Sequence, residues 1–184
     1  MILLRHGQSE FNLHFTATRQ DPGITDPALT PLGRTQAEEA AAALRQERLV
    51  RMVVSPYTRT LQTAAPIAGA LGLAPEVVPL VRERFAFTCD VGSPASVLAQ
   101  SWPQHDFADL EEVWWPPERE SEAALQRRAR AFRDAVRERA DWQETLVVTH
   151  WGFILALTGQ SVANGQWLRW DPATPLPRRI VWTH

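Results

Sequence analysis

Three positions in this sequence carry side chains suited to anion chemistry, and each follows an apolar run. Arg5-His6 follows Ile2–Leu4, Arg59 lies just beyond Val50–Val54, and His150 closes the run Thr145–Thr149. Arginine offers planar, paired donors and stays charged at any working pH. Histidine titrates near neutrality and can attack or shuttle a proton. Lysine is absent, all 19 basic residues being arginine. Schiff-base catalysis, a lysine-linked pyridoxal phosphate and a Walker lysine are therefore excluded. Anion binding falls to arginine, histidine and backbone N–H groups. Taken singly, each position has a plainer reading. A histidine after a strand is commonly a hydrogen-bonded structural residue, Arg59 could face solvent, and Arg5 could pair with Glu10. Their joint occurrence at strand ends gives them weight.

The elements that must position these groups alternate strand and helix, the pattern of an α/β domain with a mostly parallel sheet. Groups beyond the carboxyl ends of such strands converge on one crevice, which brings together residues far apart in sequence. Ile2–Leu4, Val50–Val54, Glu76–Leu80 and Thr145–Thr149 read as strands, and Arg178–Thr183 as a late edge strand. Thr30-Pro31 starts a helix running to about Leu49. Ser55-Pro56 starts another, ending near Gly72 with a kink at Pro66. A short helix begins at Ser93-Pro94 within an otherwise irregular stretch, 85–120. Leu125, Ala129, Phe132 and Val136 mark a helix over roughly Ser121–Ala140. Trp151–Leu157 forms the last short helix.

The 184 residues fit a single domain, 1–184, with 45% hydrophobic and 22% charged residues. A net charge of −2 gives no reason to expect nucleic acid, and Arg127–Arg139, interleaved with Asp134 and Glu138, reads as a solvated helix face. The single cysteine, Cys89, excludes an intrachain disulfide and a multi-cysteine zinc site, and reads as packing. No signal-peptide core or membrane-spanning run is found. A cytoplasmic protein without nucleic-acid or membrane partners is the expectation.

The longer strings carry a family resemblance. Arg5-His6-Gly7-Gln8-Ser9-Glu10-Phe11-Asn12 resembles the RHGxSxxN signature of the histidine phosphatase, or phosphoglycerate mutase-like, superfamily. Asp26 with Leu29-Thr30, Gly33 and Gln36-Ala37 is similar to its helix-start motif. The stretch 55–64 resembles its second block, Leu80-Val81-Arg82-Glu83 its acid segment, and Val148-Thr149-His150-Trp151-Gly152 its final histidine block. The five blocks run in family order from residue 1 to about 157.

The resemblance implies a three-layer α/β/α sandwich and a phosphatase of small phosphomonoesters, using His6 as phosphoryl acceptor. It implies no metal and no cofactor. Arg5, Arg59 and His150 would surround the phosphate, with Asn12 as a further contact and Trp151, where many members carry glycine, on the pocket wall. Phosphoryl transfer is chiefly positioning and charge stabilisation, which arginines supply. A helix starting at Ser55-Pro56 would add its dipole. Gly7 would allow a sharp turn or close approach to the phosphate. Glu83 is the expected general acid, with a surface salt bridge to Arg82 or Arg84 as its plainer reading and Glu10 as its nearest competitor.

Alternatives stay open: a phosphoglycerate mutase-type phosphotransferase, a phosphoprotein or phosphohistidine phosphatase, a catalytically silent binding module, and a metal enzyme using His6 and His150. The expected partner is a small phosphorylated metabolite. Oligomeric state is not legible, a homodimer being left open. Residues 85–120, with Cys89, Trp102, Trp114 and Trp115, match no motif and are expected to set substrate choice.

Overall fold

A computed structural model describes residues 1–182 of the chain. Its sheet holds five strands: β1 (Ile2–Arg5), β2 (Arg51–Val54), β3 (Pro75–Val77), β4 (Thr145–Thr149) and β5 (Trp167–Arg169), in the order β3-β2-β4-β1-β5. The first four are mutually parallel, and β5 runs antiparallel to β1 at one edge. Six α-helices accompany them: α1 (Glu10–Thr18), α2 (Pro31–Leu44), α3 (Thr58–Leu71), α4 (Ala95–Ser101), α5 (Glu122–Arg137) and α6 (Trp151–Thr158).

Strand alternation builds the three layers. Ile2, Leu4, Met52, Val54, Leu146 and Val148 face one side, where Ala40, Leu44, Leu61 and Ile67 of α2 and α3 cover them. Leu3, Val53 and Val147 face the other, beneath Leu125, Phe132, Phe153 and Leu157 of α5 and α6. Such doubly covered strands read as continuous apolar runs, which is why β1, β2 and β4 were legible in sequence. Among the described residues no helix is long and apolar enough to cross a membrane.

Several boundaries differ from expectation. Helix α2 stops at Leu44, its last core position, and the exposed Arg45 and Gln46 close it with short turns instead of extending it to Leu49. Helix α3 begins at Thr58, with Tyr57 at its cap, and runs on through Pro66. β3 ends at Val77, because Pro79 opens a 3₁₀ turn over Pro79–Val81. Ser121 caps α5, which ends at Arg137. Ser93 does not cap α4; its hydroxyl donates to Asp26 Oδ2 at 2.6 Å. The late strand is absent over 178–182, and Thr183 lies outside the described residues. β5 already occupies that sheet edge, while Ile180 packs into the core beside α5 and its N–H donates to Glu122.

Helix α1 went unread in the sequence. A capping box holds it: the Asn12 N–H donates to Ser9 Oγ, and the Ser9 N–H donates to Asn12 Oδ1.

Candidate active site

The parallel topology brings the predicted groups together. β2, β4 and β1 are adjacent, and Ser55, His150 and His6 follow their respective carboxyl ends. The ladder continues one step into these turns, His6 N–H donating to the Thr149 carbonyl and Ser55 N–H to the Val148 carbonyl. Beyond the strands lies a cavity of about 530 Å³ lined by Arg5, His6, Asn12, Arg59, Glu83 and Trp151 among others. Of the expected site residues, His150 alone does not line it directly. It is fully buried just behind, its ring centroid 5.1 Å from that of His6.

His6 is buried, and its Nδ1–H donates to the Gly7 carbonyl at 2.7 Å. A carbonyl can only accept, so Nδ1 carries the proton and Nε2 keeps a free lone pair. Burial, followed by the charges of Arg59 and Arg5, holds the His6 pKa well below the ordinary 6.5. His150 is depressed in the same way, by burial first and Arg59 second. Its Nε2 shares a 2.8 Å hydrogen bond with Ser55 Oγ, while its buried Nδ1 has no partner among the described residues. A buried polar atom without a partner is costly, and an oxygen of a bound anion would satisfy it.

Arg59 is held from behind. It donates to the Cys89 carbonyl at 2.8 Å and to Asp90 Oδ1 at 3.2 Å, and its guanidinium lies 4.2 Å from the Tyr57 ring centroid. Arg5 donates to the Val162 carbonyl at 2.9 Å rather than to Glu10, which sits exposed in the first turn of α1. Its Nε is buried without a partner among the described residues, and burial lowers its pKa to about 10. The Arg5 guanidinium thus keeps donors in hand.

Glu83 makes no salt bridge with Arg82 or Arg84. Arg82 pairs with Glu120, and Arg84 Nε donates to the Glu120 carbonyl. The Glu83 carboxylate instead accepts N–H groups from Arg84 at 2.8 Å and Gly152 at 3.1 Å. Burial, then the nearby Asp90 charge, raises its pKa above the ordinary 4.5. The protonated form, which a general acid requires, is therefore favoured. Asn12 lines the cavity but spends its Oδ1 on Ser9 and Asn164. Trp151 forms part of the wall, its Nε1 donating to Ser161 Oγ at 2.9 Å.

Three expectations need correction. The N-terminus of α3 is already capped by Asp26, which accepts from both the backbone N–H and the hydroxyl of Thr58. That helix end is not free for phosphate. Gly7 is required by the protein itself, because a Cβ there would collide with the Gly33 carbonyl. Trp114 and Trp115 do not line the cavity. Trp114 is buried against Tyr57, with centroids 4.6 Å apart, and Trp115 packs on the same core.

Sequence reasoning missed four residues. Asp90 holds Arg59, and Asn164 donates to the His6 carbonyl and to Asn12. Glu120 and Arg128 form a buried pair, from which Arg128 reaches the carbonyls of Leu80, Arg82 and Glu83. Arg128 had read as part of a solvated face. Its place four residues after Ala124 and one before Ala129, on the border of the apolar stripe, was the available signal. Cys89 is buried and its thiol is pushed up, chiefly by burial, in keeping with packing. Among the described residues no three histidine, cysteine or acidic side chains gather as a metal site would need.

Comparison with known proteins identifies the family. The chain is 32% identical over 161 residues to the probable phosphoglycerate mutase GpmB of Yersinia enterocolitica, covering 82% of this chain and 68% of that protein. It is 30% identical over 154 residues to phosphoserine phosphatase 1 of Hydrogenobacter thermophilus, covering 80% and 68% respectively. Among solved structures, mycobacterial glucosyl-3-phosphoglycerate phosphatase superposes with a TM-score of 0.63 at 25% identity, covering 91% of this chain and 87% of that one. The Escherichia coli K-12 protein described as a putative alpha-ribazole-5'-P phosphatase, 21% identical, shares the fold at a TM-score of 0.66, with 90% and 86% covered. The sequence model of the histidine phosphatase superfamily (branch 1) matches residues 1–175, and the chain belongs to that family of enzymes.

Proposed function

We propose that the chain is a metal-independent phosphatase that hydrolyses a small phosphomonoester through a phosphohistidine on His6. One observation carries this reading: the hydrogen bond from Nδ1 to the Gly7 carbonyl leaves Nε2 of His6 unprotonated in a cavity that Arg5, Arg59 and Glu83 also line. Nε2 attacks phosphorus, and the bond to the ester oxygen breaks as Glu83 delivers its proton to that oxygen. Arg5, Arg59 and the free Nδ1 of His150 take the charge of the transferring oxygens. Water then attacks the phosphohistidine and gives its proton to Glu83. Inorganic phosphate leaves and His6 is restored.

The similarity to a probable phosphoglycerate mutase favours a second reading, in which the phosphoryl group returns to substrate. Rapid quench into alkaline detergent with labelled substrate tests the first step, and free phosphate separates the two fates. Phosphate trapped on His6 in acid-labile, base-stable form, with stoichiometric phosphate release in the presence of chelator, is the expected result. Substantial turnover by His6→Ala sinks the nucleophile assignment, and loss of turnover in chelator restored by a divalent ion sinks metal independence. Interconversion of phosphoglycerates with little phosphate released selects the mutase.

A further inference from the structure

We propose that the alcohol part of the substrate combines a planar ring with a second anionic group, held at the outer wall of the same cavity; this rests on the phosphatase reading above. The cavity of about 530 Å³ falls within the size range of sites for whole small molecules, and a phosphoryl group would occupy only the part beside His6. The remainder carries, among small and neutral polar residues, an aromatic and a basic group of side chains.

On the aromatic side, Phe11, Phe15 and Phe87 line the cavity as one cluster, with ring centroids 5.1 to 5.5 Å apart. Trp151 and Trp182 line it as a second pair, 5.6 Å apart, and the Arg84 guanidinium lies 4.5 Å from the Trp182 ring centroid. Aromatic faces and a stacked guanidinium suit a flat ring.

Charge points to the second feature. Besides Arg5 and Arg59, the cavity is lined by Arg19, Arg84 and Arg119. Among the described residues none of these three has a carboxylate within ion-pair distance. Among the described residues two carboxylates line the cavity, and both are committed: Asp90 to Arg59, and Glu83 to a raised pKa that favours its neutral form. Glu120 offers the Arg84 guanidinium only a carbonyl, while its carboxylate holds Arg82 and Arg128. A phosphate dianion answered by Arg5 and Arg59 leaves Arg19, Arg84 and Arg119 without an ion-pair partner among the described residues. A ligand that supplies the missing negative charge is selected over one that does not. A carboxylate or a second phosphate would serve, both accepting the paired donors of arginine.

The test uses the wild-type protein and non-hydrolysable phosphonates, so that binding is read separately from turnover. Calorimetric titration compares benzylphosphonate, 4-carboxybenzylphosphonate, p-xylylenediphosphonate and the ringless 5-phosphonopentanoate. The expected order places both ring-bearing ligands with a second anionic group about tenfold tighter than benzylphosphonate, as a charge-assisted contact provides, with the ringless carboxylate weaker than its ring counterpart. The carboxybenzyl and diphosphonate arms decide which anion is preferred. Arg19→Gln and Arg119→Gln should each reduce the affinity ratio of 4-carboxybenzylphosphonate to benzylphosphonate. Equal affinities for these two ligands overturn the anion subsite, and equal affinities with and without the ring overturn the aromatic one. If the binding order holds while no phosphomonoester is hydrolysed, the phosphatase reading fails and the subsite stands. Hydrolysis without the binding order is the converse.

Discussion

Gly152 and Glu83 are fitted to each other: the Gly152 N–H donates to one carboxylate oxygen at 3.1 Å, and a Cβ on Gly152 would run into the other oxygen. The glycine in the final histidine block therefore leaves room for the carboxyl group of the acid segment, 69 residues earlier in the chain.

Gly152→Ala should accordingly behave as a partial loss of Glu83. General acid–base groups contribute roughly 10²–10⁴ in rate, and displacement of the carboxyl should forfeit about tenfold or more of it. The loss should be larger for an alkyl phosphate than for p-nitrophenyl phosphate, whose leaving group departs without a proton. Steady-state kinetics on the two substrates, with a melting curve to verify folding, checks this. Equal losses on both would assign the clash to binding or to the fold.

The directions of the His6 and Glu83 shifts fix the sign of the pH response. Attack requires neutral His6, so kcat/KM falls as pH drops through its pKa. Burial and the two arginines put that limb below the ordinary 6.5. Proton delivery requires neutral Glu83, so kcat/KM falls again as pH rises through a pKa lifted above 4.5. For an alkyl phosphate the profile should therefore reach into the acid range, and Glu83→Gln should remove the basic limb while leaving the acid one. An acid limb at or above 6.5 would contradict the environment described for His6.

The residues that gather at the cavity were legible because β1, β2 and β4 are covered on both faces and so announce themselves as apolar runs. Once those runs are adjacent and parallel, the residues at their carboxyl ends must meet. Helix α1 and strand β5 were not legible, for different reasons. Helix α1 buries only Phe11 and has no apolar stripe, and β5 spans three residues that borrow their hydrogen bonds from β1. Side-chain destination was the least legible feature. Nothing local distinguishes Trp114, which turns into the core, from Trp151, which faces the cavity, and only its place at the border of the apolar stripe sets the buried Arg128 apart from the exposed arginines on α5.

Trp114 provides a direct contrast with the sequence expectation that it sets substrate choice. It packs against Tyr57, its Nε1–H donates to the Ser93 carbonyl at 2.9 Å, and Gly92 is the only residue type that fits beneath its ring. Trp114→Ala should cost ~3–5 kcal/mol of stability, as for other large buried aromatics. Urea unfolding would measure it, and relative rates among substrates should stay unchanged at a temperature where the variant is folded. A change in substrate preference without lost stability would return Trp114 to the pocket.

The buried pair Glu120–Arg128 offers the final prediction, because it links fold stability to the position of Glu83. Arg128 donates to Glu120 at 2.7 and 3.0 Å and braces the carbonyls of Leu80, Arg82 and Glu83. Arg128→Met would leave Glu120 with only the longer 3.4 Å contacts to Arg82. Removing one partner of a buried pair costs ~3–5 kcal/mol, more than the pair itself contributes. Burial alone would raise the Glu120 pKa, but the hydrogen bond and charge of Arg128 outweigh it and hold the pKa below 4.5. A carboxylate depressed in this way stabilises the fold above its unfolded pKa, and that contribution is lost as pH falls through the folded value. Wild type should therefore lose stability progressively below about pH 4, and the double variant Glu120→Gln, Arg128→Met should show a shallower loss over the same interval. Because Arg128 touches the Glu83 carbonyl and no reacting atom, Arg128→Met should lower kcat more for alkyl phosphates than for p-nitrophenyl phosphate, with KM little changed. Denaturant melts across pH 3 to 6 and the two-substrate comparison read these effects separately. An unchanged acid limb in the double variant would remove Glu120 from the account of acid stability, and equal kinetic losses on both substrates would reduce Arg128 to a purely structural role.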